Sequence, residues 1–480
     1  MRTLFMKFNF LSLILLLVCS LFSCKDDKDE TGVNEAFIGG EIVNPNSNYI
    51  VFKKADVPLD TVFLNSENRF SYKLSNFEPG FFGFFDGREY QNILVEPNDN
   101  LLLRLNTIDF DESLVFTGKG ARENNFLMEL YLKNEKDDEN ILGLGQKDAE
   151  EFDSIFRESR DLKLKKLEKL KAKYNTSPFF NEIAEKSINY EYYAHKELYP
   201  LANYKISELD AFNSLPEDFY DYRENIDYND EDLKDYSPYV SFLRFHFNNI
   251  ALQKHFSHSK DSEYNKLDLH YNLDKLELID KYVSNEDIKN NLLKFVISQF
   301  ITFSKNTEHY DAILESFKNK STNLEDIKVS TQFINSYKRL KPGNRLPQIT
   351  LLDNKDKEIN LNELIKKPTV VYFWSKKNKN HLIYSHKRVK ELNVKYPEFN
   401  FIAINVDSIS YKEQVRILKR NEVRINNEYR FKSPKQSKLT LSVKPIQKVF
   451  ILNKNGEIVN AKANMFGIVF EQELLGVLNQ

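Results

Sequence analysis

The chain has 480 residues, with 68 lysines and arginines against 71 aspartates and glutamates and a formal net charge of −3. That balance excludes the basic footprint of a nucleic-acid-binding protein. The length predicts about three domains of ~100–200 residues each, and 38 phenylalanines with 25 tyrosines can supply each of them with a core.

Arg2 and Lys7 form a short basic head before the apolar run Phe8 to Phe22. The run has signal-peptide length and is too short to span a bilayer comfortably. Leu21-Phe22-Ser23-Cys24 resembles a bacterial lipoprotein box, with Phe22 bulkier than the residue usual there. The resemblance implies that residues 1–24 are a leader, that Cys24 is lipidated and begins the mature chain, and that Cys19 leaves with the leader. Cys19 and Cys24 are the only cysteines, so such a mature chain has no free thiol. It has a net charge of −5 once Arg2 and Lys7 are gone. Its acyl chains would hold it on a membrane. Lys25-Asp26-Asp27-Lys28-Asp29-Glu30 opens an acidic linker over residues 25–34. It looks like the tag that sends some lipoproteins to the outer face of the outer membrane, and it reads equally as a solvated linker. The expected location is the outer membrane, lipid-anchored, on the periplasmic side or at the cell surface.

Residues 35–120 predict a β-rich sandwich or barrel. "AFIGGEIV", "NYIVFKK", "DTVFLN", "RFSYKL", "GFFGFFD", "NILVEP" and "LLLRLN" are short, aromatic and β-branched, with turn signals between them. Spacing of about 8–12 residues is the all-β pattern. Residues 121–340 predict an all-α domain. Glycine nearly vanishes after Gly145, and Leu162, Leu164, Leu167 and Leu170 fall close to a 3.6 period. Further helices are expected in "NEIAEKSINYEYYAHKELYPL", ended by Pro200, in "SPYVSFLRFHFNNIALQKHF" and in "DIKNNLLKFVISQFITFS". Residues 341–480 return to alternation. "QITLLD" and "EINL" predict a hairpin, "TVVYFW" a buried strand and Asn378 to Tyr396 a helix. "FNFIAINVD", a helix over Tyr411 to Asn421, a hairpin turning at Asn455-Gly456 and a helix over Val469 to Leu478 follow.

The order β-α-β then β-β-α is that of the thioredoxin fold. "INLNELIKKPTVVYFW", "YPEFNFIAINVD" and "VFILNKNGEIV", preceded by Pro342-Gly343 and Leu346-Pro347, resemble the TlpA/ResA-type thioredoxin-like (redoxin) proteins, including multidomain lipoproteins. The resemblance covers the last ~135 residues and implies an α/β thioredoxin-like domain behind the β-rich and helical ones. It also implies a C-x-x-C pair after the aromatic strand end. Here that frame falls on Asn378-Lys379-Asn380-His381. Thiol exchange needs a thiolate and a resolving thiol, and neither asparagine nor histidine supplies one. The family's cis-proline, counted back from Phe450, falls on Gln447, while Pro445 lies two residues earlier. A trans bond at Gln447 is expected, since a cis bond before a non-proline costs ~2.5–4 kcal/mol. The alternative is a two-residue shift with Pro445 still at the turn.

Lys376, Lys377, Lys379, His381, His386, Lys387 and Arg388 crowd the start of this helix. They suggest an anion site, against a solvated basic face, which is the commoner case. His255, His258 and His246, with Asp261 and Glu263, fall short of a defined metal-ligand set, and no metal or cofactor is expected. Tyr190, Tyr192, Tyr193, Tyr199, Phe242, Phe245 and Phe247 are expected in the core. The expected function is a lipid-anchored envelope protein whose redox-inactive thioredoxin-like domain binds an envelope polypeptide. The binding edge would carry Trp374, Lys377, Asn378, Lys379, His381 and Gln447, with no catalytic residue. The alternatives are a thiol-disulfide oxidoreductase and a non-redox enzyme using His381.

Overall fold

The computed structural model describes residues 34–479 except 55–56, 206, 261–263, 305 and 424–426. Cys24, the leader and residues 25–33 of the linker lie outside the described residues. No helix among those described is long and apolar enough to cross a membrane. The described residues divide into two compact units, one up to Phe126 and one from Leu127.

The first unit contains two four-stranded sheets. One has the order β4-β1-β7-β8, from Arg69–Ser75, Glu35–Val43, Asn100–Asn106 and Val115–Lys119. The other has β3-β2-β5-β6, from Val57–Phe63, Tyr49–Lys54, Gly80–Phe85 and Tyr90–Val95. Alternation buries one face of β7, where Leu101, Leu103 and Leu105 are buried and Leu102 is exposed. The buried faces share an aromatic core. Phe52 of β2 stacks on Tyr72 of β4 at 4.5 Å and touches Phe70 and Phe84. Close approach of β1 to β7 needs glycine at Gly40, where a Cβ would stand 2.1 Å from the Leu103 carbonyl oxygen.

The long helix α1 (Ala121–Asp138) begins before the division at Phe126, and the second unit continues through α2 (Ala149–Tyr174), α3 (Pro178–Ala202) and α4 (Ser237–His258). α5 (Leu269–Tyr282), α6 (Glu286–Phe303), α7 (Tyr310–Lys320) and α8 (Leu324–Arg339) complete it. The α2 side chains that reach the core are Ala149, Phe152, Phe156, Lys163 and, alone of the leucine stripe, Leu167. Leu162 is exposed, whereas Lys163 is buried because Asn134 and Asp137 accept its protons at 2.6 and 2.9 Å. Pro200 does not end α3, as expected, but sits inside it. Burial of Tyr199 and Ala202 on either side holds the last turn against the missing N–H. Tyr190, Tyr192, Tyr199, Phe242 and Phe247 are core, while Tyr193 and Phe245 are only partly buried.

The second unit ends in a seven-stranded sheet of order β10-β9-β13-β12-β11-β14-β15. Its strands are β9 (Thr350–Leu352), β10 (Glu358–Asn360), β11 (Thr369–Trp374), β12 (Asn400–Asn405), β13 (Glu428–Phe431), β14 (Lys448–Leu452) and β15 (Ile458–Asn464). Helices α9 (Lys379–Lys395), α10 (Tyr411–Arg420), α11 (Pro434–Thr440) and α12 (Phe470–Leu478) connect and flank them. β11 is parallel to β12 and antiparallel to β14. All six β11 residues are buried. Val370, Tyr372 and Trp374 enter one core with Leu382 and Leu392 of α9 and Leu474 of α12. Val371 and Phe373 enter the other with Ile402, Ile404 and Phe450. β13 and α11 escape the periodicity reading because both are short and polar. The sheet is fastened to the helices by Lys462 of β15, whose Nζ donates to the Ile301 and Ser304 carbonyls and to Tyr310 Oη.

Candidate functional site

β11 delivers the chain to the sheet's edge at Trp374, and Asp407 then shapes the loop. Its carboxylate accepts from Ser375 Oγ at 2.8 Å and from the Lys376 N–H at 2.7 Å. Asn378 caps α9, its side-chain oxygen accepting the His381 N–H at 3.0 Å, a standard N-cap arrangement. Asn378 and His381 are therefore joined by a capping bond at the helix start.

Asn378, His381, Tyr384, Arg388, Gln447 and Phe466 are among the residues lining a groove of about 640 Å³. Tyr384 and Phe466 are 60% and 46% exposed, an apolar presence in an otherwise polar wall. His381 is only 7% exposed, and neither ring nitrogen has a hydrogen-bond partner among the described residues. Burial, and then the neighbouring His386, hold its pKa below the usual imidazole value, so the neutral form is favoured. A neutral imidazole offers one donor and one acceptor.

The expected edge changes in two places. Trp374 does not face solvent but is fully buried, its indole Nε1 donating to Glu428 Oε2 at 2.9 Å. Lys377 and Lys379 are exposed, and neither is among the residues lining the groove. The peptide before Pro445 is cis, so the proline stands two residues before the expected position, and Gln447 is exposed groove wall. Tight local bonds, Lys444 N–H to Ser442 O and Lys448 N–H to Pro445 O, take up the shift.

Three members of the basic cluster are paired with carboxylates. Lys376 pairs with Glu413 at 2.9 Å, Arg388 with Glu471 at 2.9 Å, and His386 with Glu428 at 2.8 Å. His386 Nδ1 faces the Leu382 carbonyl at 2.7 Å. Both ring nitrogens of His386 thus face oxygens, and the side chains of the His386–Glu428 pair are buried. Glu428 and Asp407 were missed in the sequence because each is one carboxylate among many, and only strand pairing brings them to β11.

In the helical part, His246 is engaged elsewhere, with Nδ1 2.6 Å from Glu197 Oε1 and Nε2 2.9 Å from Tyr228 Oη. Burial raises the Glu197 carboxyl pKa, but His246 and Arg223 outweigh it and hold the value at about 2. Asp261 and Glu263 lie outside the described residues.

No protein-family model and no curated relative matches the chain. Solved structures align with part of it. An uncharacterized thioredoxin-like protein from Porphyromonas gingivalis is 22% identical, covering 28% of this chain and 89% of that one, with a TM-score of 0.24. A thiol:disulfide interchange protein from a Bacteroides species is 17% identical, covering 25% and 80%, with a TM-score of 0.22. The strand order and connections from β9 to α12 make this a thioredoxin-like fold, with asparagine and histidine at its helix start.

Proposed function

We propose that the protein is a lipid-anchored envelope protein whose thioredoxin-like domain binds an extended segment of an envelope polypeptide and does not exchange thiols. The observation that carries this reading is His381, a buried imidazole in the groove wall with no partner for either nitrogen among the described residues. An unsatisfied buried polar group costs about 1–3 kcal/mol. An extended segment carries both kinds of partner for such an imidazole, carbonyls that accept and N–H groups that donate, on successive peptide units. Tyr384 and Phe466 offer apolar contact to the side chains of such a segment. Asn378 and His381 supply no sulfur for exchange, and His381 has no carboxylate partner among the described residues to orient it as a general base. Cys24 is the proposed anchor, and Cys24→Ser is expected to move the protein from the membrane fraction to the soluble one.

The groove is tested with a photo-crosslinking residue at Gln447 or Tyr384 of the full chain in its native membrane, with Leu324 as an exposed control. A crosslinked polypeptide is expected from both groove positions, absent at Leu324 and lost when His381→Phe is added. The same crosslinks at Leu324, or none in the groove, would overturn the reading.

A further inference from the structure

His255 and His258 lie one turn apart at the end of α4, and α5, packed beside it, carries Asp274. His258 Nε2 is 2.8 Å from Asp274 Oδ2, and His255 Nδ1 is 3.9 Å from the same oxygen. One ligand atom from each of the three lies within 4.8 Å of the others. Bonds of ~2.0–2.1 Å in a tetrahedral zinc site set neighbouring ligand atoms about 3.3 Å apart. The two separations to Asp274 bracket that value, and the two histidine nitrogens lie within 4.8 Å of each other. Histidines spaced for one helix face can share a metal with a carboxylate from the adjacent helix, as in bundle metal sites.

The surroundings fit the same reading. The far nitrogen of His255, Nε2, is 4.0 Å from Asp268 Oδ1. Metal-bound imidazoles commonly keep a carboxylate on that side. Lys254 is paired with Asp274 Oδ1 at 3.2 Å, which leaves Oδ2 to ligate. The carboxyl end of α4 carries partial negative charge that favours a cation. The side chains of His255 and Asp274 are 6% and 10% exposed, and that of His258 is 47%, so two ligands are held in place and the third opens to solvent.

We propose that His255, His258 and Asp274 bind one d-block dication, Zn²⁺ or Co²⁺, with water completing its coordination. Two imidazoles beside one carboxylate suit such ions, whereas calcium and magnesium select oxygen. The site clips α4 to α5 and is independent of the groove.

The test is titration of Co²⁺ into the untagged, metal-stripped full chain, followed by its visible d–d absorption and by Zn²⁺ competition. One equivalent is expected to bind. His258→Ala, at the exposed ligand where folding is least at risk, is expected to weaken binding at least about 100-fold, since even an outer partner is worth 10–100-fold. Lys254→Gln removes a competing charge and is expected to tighten binding. No d–d band at millimolar cobalt, or a band unchanged in His258→Ala, overturns the proposal.

Discussion

Glu428 is the residue whose removal discriminates best between a structural strut and an idle carboxylate. It is buried on β13, accepts the Trp374 indole proton at 2.9 Å and holds His386 at 2.8 Å. Glu428→Ala leaves the indole N–H without its acceptor, which costs about 1–3 kcal/mol. It also leaves one member of a buried pair behind, worth ~3–5 kcal/mol. One carboxylate makes both contacts, so the costs overlap and the expected loss is ~3–5 kcal/mol. Glu428→Gln keeps one oxygen for the indole and is expected to lose about 1–3 kcal/mol. Trp374 is the only tryptophan in the chain, so urea unfolding followed by tryptophan fluorescence reads this sheet directly. A loss below about 1 kcal/mol for Glu428→Ala would refute the reasoning, because it would mean that neither partner depends on the carboxylate.

Three further outcomes are expected. His381→Phe should stabilise the same transition by about 1 kcal/mol, because it replaces an unpartnered buried imidazole with a ring that needs no partner; destabilisation in urea would show that the imidazole is already satisfied. Burial lowers the Lys462 pKa from 10.5 to about 8, so between those values the unfolded chain holds a proton that the folded chain has shed, and stability relative to Lys462→Met should rise with pH across that window; thermal melts at pH 7.5 and 10 that give an unchanged difference would refute this. Gly40→Ala would press a Cβ against the Leu103 carbonyl and should cost the first unit about 1–3 kcal/mol, read as earlier loss of β-signal in far-ultraviolet circular dichroism.

Much of the fold was legible because burial leaves a period. In "TVVYFW" every residue is buried, and the five after Thr369 alternate between the two cores. The hairpin at Asn455-Gly456 follows from turn chemistry, with Gly456 at φ 78°. The helix expected over Asn378 to Tyr396 is present as α9, with Asn378 as its cap rather than its first turn.

What stayed hidden is charge buried by remote partners. Lys163 looks like a surface lysine between leucines, yet α1 supplies its acceptors. Trp374 looked like a binding edge, yet β13 supplies Glu428 from 54 residues away and draws the indole inside. Asp274 stands 16 residues from His258, and nothing in that spacing marks it as a ligand. The sequence by itself determined where the apolar strands and helices run, because apolar side chains avoid water regardless of which apolar neighbour they meet. Only the tertiary structure decided which polar groups share a site, because a hydrogen bond or a coordination sphere needs named atoms within a few ångströms, and chain distance does not encode that separation.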